Sequence, residues 1–137
     1  MEKSDFKDYR ALLLEVAQLR DQLRILESSM YSPKGQRFSS TPHASSGNNR
    51  TMVDPVARHM DLEETYRAEL AEKEAQQLAI ELAIASLSDV GERLVMRSRY
   101  IEGRPWPVVI REMQKAGYSE RTVYRLHGYA LQKLKEV

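Results

Sequence analysis

The chain has 137 residues, 42% hydrophobic and 30% charged, with a formal net charge of +1 and no cysteine. One or two small domains fit that length, and the absence of cysteine excludes a disulfide framework and a Cys-ligated zinc. No apolar run approaches the ~18 residues of a membrane span, and the amino terminus is charged where a secretory leader needs an apolar core; no membrane partner and a cytoplasmic location are expected.

The charge is unevenly placed. Residues 52–87 carry −5 and residues 88–137 carry +4, which points to a polyanion contact at the carboxy-terminal end alone. His43, His59 and His127 are scattered and form no HExxH-type spacing, so neither a metal nor another cofactor is expected. There is no paired-carboxylate signal, no phosphate-cradling Gly loop and no nucleophile beside a base, and an enzyme is not expected.

Ser4 or Asp5 is placed to cap a first helix running to about Glu27. Tyr9, Leu12, Val16, Leu19, Leu23 and Leu26 step by threes and fours, and Leu13 widens this apolar stripe. A lone helix of this length is marginal in water, so the stripe needs a partner, either the next helix or a second copy of the chain. From Ser28 to Thr51 the composition shifts to Ser, Thr, Pro, Gly and Asn with no Ile, Leu or Val. Such a segment buries too little to offset its ordering entropy and reads as a flexible linker, with Lys34, Arg37 and Arg50 solvated.

Asp54-Pro55 marks the next start, as N-cap and first helical residue, and helix is expected to about Leu87. Leu62, Tyr66 and Leu70 form one apolar patch and Ile80, Ile84 and Leu87 another. Six alanines between Ala68 and Ala85 supply helix propensity.

From Ser88 the elements shorten. Asp89 with Glu92 has the spacing of a capping box. A helix follows to about Ile101, with Leu94, Val95, Met96 and Tyr100 as apolar candidates, and Glu102-Gly103 ends it. Pro105-Trp106-Pro107 opens another helix with Val108, Val109, Ile110 and Met113 on its apolar face, closed by Ala116-Gly117. Trp106 reads as a packing anchor. Ser119 caps the last helix, which runs to about Lys135 and buries Val123, Leu126, Ala130, Leu131 and Leu134. Three short helices with a Gly-containing turn before the last suggest a helix-turn-helix.

The chain therefore reads as all-α, a long helical hairpin or coiled-coil arm followed by a three-helix helix-turn-helix domain. The divisions are an amphipathic helix over 1–28, a Ser-rich linker over 29–51, a long arm or oligomerisation helix over 52–87 and the DNA-binding domain over 88–137. With Val123 and Leu126 facing in, Ser119, Glu120, Arg121, Thr122, Tyr124 and Arg125 form the candidate DNA-binding set on the first turns of the last helix, the part that enters a major groove. Arg can fork onto guanine O6 and N7, and Glu can accept from cytosine N4. Arg111, Lys115 and Lys133 are candidate phosphate contacts.

Two strings carry a family resemblance. Glu92-Arg93-Leu94-Val95-Met96-Arg97-Ser98-Arg99-Tyr100-Ile101-Glu102-Gly103 resembles the first half of region four of bacterial sigma factors. Tyr118 to Leu126, followed by Ala130-Leu131-Gln132-Lys133-Leu134, resembles its second half. The layout is similar to small phage-encoded sigma-like late-gene regulators. The resemblance implies that the last helix reads a promoter element in double-stranded DNA, that the module docks on the β flap of RNA polymerase, and that the protein works in a bacterial host cell. Between Trp106 and Gly117 the chain runs about three residues longer than the family pattern, nearly one helical turn, and nothing resembles the promoter-melting region two. The helices of 5–27 and 54–87 are candidates for self-association. Two other readings fit the same elements: a small-terminase-like DNA-packaging component, and a polymerase-binding interaction module without direct DNA contact.

Overall fold

The computed structural model describes residues 1–31 and 49–136. The fold is all-α. The described residues form helices α1 (Lys3–Lys7), α2 (Tyr9–Tyr31), α3 (Asn49–Ala85), α4 (Val90–Met96), α5 (Trp106–Lys115) and α6 (Glu120–Leu134), with a π-helical turn at Arg97–Ile101 and no strand. Lys34, Arg37 and the side chain of Arg50, read within the linker, lie outside the described residues.

Two helix starts differ from expectation, and a third begins as expected but is capped differently. The first helix is capped by Glu2 rather than Ser4 or Asp5. Asp5 lies inside the first turn, where its carboxylate accepts from the Glu2 N–H at 2.8 Å. The backbone ladder crosses Asp8, whose N–H donates to the Ser4 carbonyl while its own carbonyl accepts from Leu12 N–H, at 3.0 and 2.9 Å. Helix α3 starts at Asn49, so Pro55 sits inside it rather than at its first position. A proline there forfeits one backbone hydrogen bond, and the helix continues through it. At α4 the Asp89 side chain accepts from Glu92 N–H at 3.0 Å, but the Glu92 carboxylate turns to Lys133 instead of closing the expected box.

Two compact units result, Met1–Leu14 with Ala75–Val137, and Glu15–Glu74. In Glu15–Glu74, the α2 residues Val16, Leu19 and Leu23 are buried, and Tyr66 and Leu70 of α3 are partly buried. Leu62, expected beside them, is 41% exposed. Lys73 pairs with Glu15 at 3.2 Å, Arg20 with Glu74 at 2.7 Å and Arg67 with Glu27 at 2.9 Å. The His59 ring meets the Leu26 carbonyl at 3.0 Å. Each exposed pair contributes about 0–1 kcal/mol at most. Glu15 and Arg20 of α2 meet Lys73 and Glu74 of α3, whereas Leu26 and Glu27 meet His59 and Arg67, so the two helices run antiparallel over the buried stripe.

In the other unit, two apolar clusters share α6. The first joins Phe6, Tyr9 and Leu12 to Ile80, Ala83, Ile84 and Leu87, to Met96 and Tyr100, and to Ala130 and Leu134. The second joins Val95, Val109, Met113 and Val123, with Leu94, Trp106, Ile110, Tyr118 and Leu126 packed against it. The π turn carries Glu102 N–H to the Arg97 carbonyl at 2.9 Å, and it delivers Tyr100 into the first cluster at 5% exposure. Gly103 follows with φ 69°, a left-handed conformation open to glycine at little cost.

His127 also turns inward, and the apolar face read from sequence left it out. Its Nε2 lies 2.7 Å from the Tyr100 hydroxyl, and its ring meets the Trp106 ring edge-on at 4.7 Å. Burial, with Lys3 and Arg99 adding positive potential, lowers its pKa from 6.5 to about 4, so it is neutral at pH 7. Burial raises the Tyr100 hydroxyl above its usual range.

Two outcomes are expected. Phe6 is fully buried with its ring 5.8 Å from that of Tyr100, so Phe6→Ala should lower unfolding stability by about 3–5 kcal/mol in urea melts. Because His127 takes up its proton more readily unfolded, its term leaves stability untouched above pH 6.5 and removes it as pH falls toward about 4. The loss amounts to about 2 kcal/mol after allowance for residual solvent screening. His127→Gln should flatten this part of the stability-versus-pH profile relative to wild type; an unchanged difference between pH 7 and 4.5 would contradict it.

Candidate nucleic-acid interface

The turn before α6 is built by backbone hydrogen bonds. Gly117 adopts φ 95°. Its N–H donates to the Gln114 carbonyl and the Tyr118 N–H to the Met113 carbonyl, both at 3.0 Å. This is the Schellman pattern, and its usual apolar contact is present because Tyr118 packs on the cluster containing Met113. Ser119 then starts α6. Its Oγ accepts from Thr122 N–H at 3.2 Å and lies 2.8 Å from Thr122 Oγ1, so both candidate hydroxyls serve the cap.

Burial along α6 separates two faces. Val123, His127, Ala130 and Leu134 are buried, and Leu126 and Leu131 are partly buried. Glu120, Arg121, Tyr124, Arg125, Gly128 and Gln132 are exposed. Four of the six candidate residues, Glu120, Arg121, Tyr124 and Arg125, thus share the solvent face of the first turn and a half, while Ser119 and Thr122 sit at its cap. Tyr124 is braced from below, its ring 5.2 Å from that of Trp106. The Arg99 guanidinium lies 5.0 Å over the Trp106 ring and donates to the Arg104 carbonyl at 2.9 Å. Arg99, Trp106 and Tyr124 form a stack that occupies Trp106 in packing and limits the motion of Tyr124.

The cations differ in their engagement. Arg121, Arg125, Arg111 and Arg97 are exposed, and no ion pair ties them to any other described residue. Sequence reasoning did not select Arg97, which stands at the start of the π turn. Lys115 is 3.7 Å from Glu112. Lys133 holds Glu92, with Nζ 2.8 and 2.9 Å from the two carboxylate oxygens. The Glu92 side chain is 4% exposed against 53% for Lys133, so this ammonium neutralises a buried carboxylate between α4 and α6. In Glu15–Glu74, an open hollow is lined by Glu15, Asp21 and Glu69 beside Gln18, Gln22 and Tyr66. Its acidic wall repels a phosphate chain.

Gly91 and Gly128 contrast within this module. A Cβ on Gly91 would meet Leu126 at 2.9 Å and Tyr118 at 3.2 Å, whereas one on Gly128 would meet nothing within 4 Å. Gly91 therefore permits the close approach of α4 to α6. Gly128 costs about 1 kcal/mol against alanine without improving any internal contact.

No family model, curated protein or solved structure matches the chain.

Lys133→Met should destabilise the fold by about 2 kcal/mol, because it strands the Glu92 carboxylate. The Glu92→Gln/Lys133→Met double variant should recover part of that loss. Urea unfolding of the wild type, Lys133→Met, Glu92→Gln and the double variant gives the coupling, and additive losses would show that the pair does not interact.

Proposed function

We propose that the chain is a DNA-binding transcription regulator that reads a promoter element in the major groove with the first turns of α6. One observation carries the reading: Arg121, Tyr124 and Arg125 lie together on the exposed face of a helix whose other face is locked in the core. Recognition in a groove requires this division, because base-reading side chains need a rigid mount to hold their geometry. Each arginine offers the forked donor pair that matches guanine, and Glu120 offers an acceptor for cytosine N4. Arg111 and Lys115 of α5 supply candidate backbone contacts, which position the helix without reading sequence.

The resemblance of Glu92–Gly103 and Tyr118–Leu134 to sigma region four supports the finer form of this proposal, a phage-type regulator that also contacts the β flap of RNA polymerase. In this reading the protein works with a polymerase rather than replacing its sigma factor. In this reading the protein is not an enzyme. Its partners are double-stranded DNA, RNA polymerase and a second copy of the chain.

Duplexes selected by the wild-type protein from a random pool provide the test. Arg121→Ala and Arg125→Ala should each weaken binding to the selected site by about 10- to 100-fold, the equivalent of about 1–3 kcal/mol per bidentate base contact, and relax the preference at one base pair. Wild-type affinity should fall steeply between about 50 and 200 mM salt. Equal binding by all three proteins would remove α6 from the reading role, and affinity indifferent to salt would favour a polymerase-binding module without DNA contact.

A further inference from the structure

We infer that Gly128 is a clearance notch on the exposed face of α6, where the sugar–phosphate strand of a DNA duplex approaches the helix backbone more closely than a side chain would permit. The inference rests on the DNA-reading role proposed for α6.

Four glycines lie among the described residues, and three have an internal reason to be glycine. Gly103 and Gly117 adopt φ of 69° and 95°, where a Cβ is strained. Gly91 faces Leu126 and Tyr118 at contact distance. Gly128 has neither reason: its φ is negative, it stands in the ninth position of a 15-residue helix, and the space outside it is open. A glycine in a helix interior is destabilising, so a requirement outside the fold accounts for its presence.

Its position identifies that requirement. Gly128 is seven residues beyond Arg121, two turns along the same side of α6 and about 10.5 Å further on. The major groove is about 12 Å wide. With Arg121 and Arg125 at base edges, the helix at Gly128 has reached the wall of the groove, where a phosphate strand crosses. The surroundings suit a phosphate. Arg125 lies one turn before Gly128 and Gln132 one turn after it, both exposed and both donors, and Arg125 has no ion pair with any described residue. Tyr129, 51% exposed, lies alongside. Glu120, the carboxylate of this face, is more than two turns away. A methyl group at position 128 would hold the strand off the helix and lengthen the contacts from Arg125 and Gln132.

The test uses the full chain and a labelled random-sequence duplex, since a phosphate contact does not depend on base sequence. Gly128→Ala should raise the melting temperature by a few degrees through helix propensity. It should also weaken duplex binding about tenfold at both about 50 and about 200 mM salt. A stabilised variant that binds as tightly as wild type overturns the notch, and so does a variant that is not stabilised, which would reveal an internal role for the glycine. Arg121→Ala and Arg125→Ala, run in parallel on the duplex selected by the wild type, separate the two levels of inference. If they weaken binding while Gly128→Ala does not, the notch fails and the reading helix stands; if wild type binds no duplex, both fall.

Discussion

Helix α6 is held by burial along one side, and the Met1–Leu14 and Ala75–Val137 unit is arranged to supply that cover. Val123 enters the cluster built by Val95, Val109 and Met113, while Ala130 and Leu134 enter the one built by Phe6, Tyr9, Ile84, Met96 and Tyr100. Burying a large aliphatic or aromatic side chain contributes about 1.5–3 kcal/mol, so this grip outweighs any surface ion pair in the molecule. Two polar contacts make it directional. The Tyr100–His127 hydrogen bond satisfies two groups that burial would otherwise penalise, and the Lys133–Glu92 pair fixes the azimuth of α6 against α4. With one face so constrained, the identity of the opposite face is settled, and it carries Arg121, Tyr124 and Arg125.

The stack of Arg99, Trp106 and Tyr124 links that outer face to the scaffold. Trp106 belongs to α5 and Arg99 to the π turn, so two elements that precede α6 in the chain brace a side chain on its exposed surface. The effect is preorganisation: an aromatic ring held in one position before a ligand arrives loses less freedom on binding than a free one.

Periodicity made most of the fold legible. Tyr9, Leu12, Val16, Leu19 and Leu23 are buried as a stripe, and Gly117 and Ser119 end one helix and start the next. The failures have local causes. Asp5 and Pro55 carry strong start signals, yet both lie inside helices, because capping chemistry permits a start without demanding one and a helix can continue through a proline at the loss of one backbone hydrogen bond. Glu92 reads as a capping partner and His127 stands outside the apolar face, yet both turn inward; for His127 the spacing 123, 127, 130, 134 marks the stripe without regard to polarity. The exposure of Glu120, Arg121, Tyr124 and Arg125 needed only the helix period. Which cations are engaged did not follow from sequence, because Lys133 and Glu92 lie far apart along the chain and meet only through the packing of α4 on α6. The cover that Met1–Leu14 supplies to α6 was hidden for the same reason: the Tyr9–Leu12 stripe announces a buried face without naming what buries it.

That cover has a consequence for the order of events in biosynthesis. Phe6 and Tyr9 leave the ribosome long before Ala130 and Leu134, yet they share one cluster. Closing so long a loop is entropically costly and slow. Until α6 is released, the nascent chain carries Phe6, Tyr9, Ile80 and Ile84 without their final partner, a surface of the kind that holdase chaperones recognise. A product truncated before α6 therefore retains the exposed apolar surface of a folding intermediate, which is open to proteolysis.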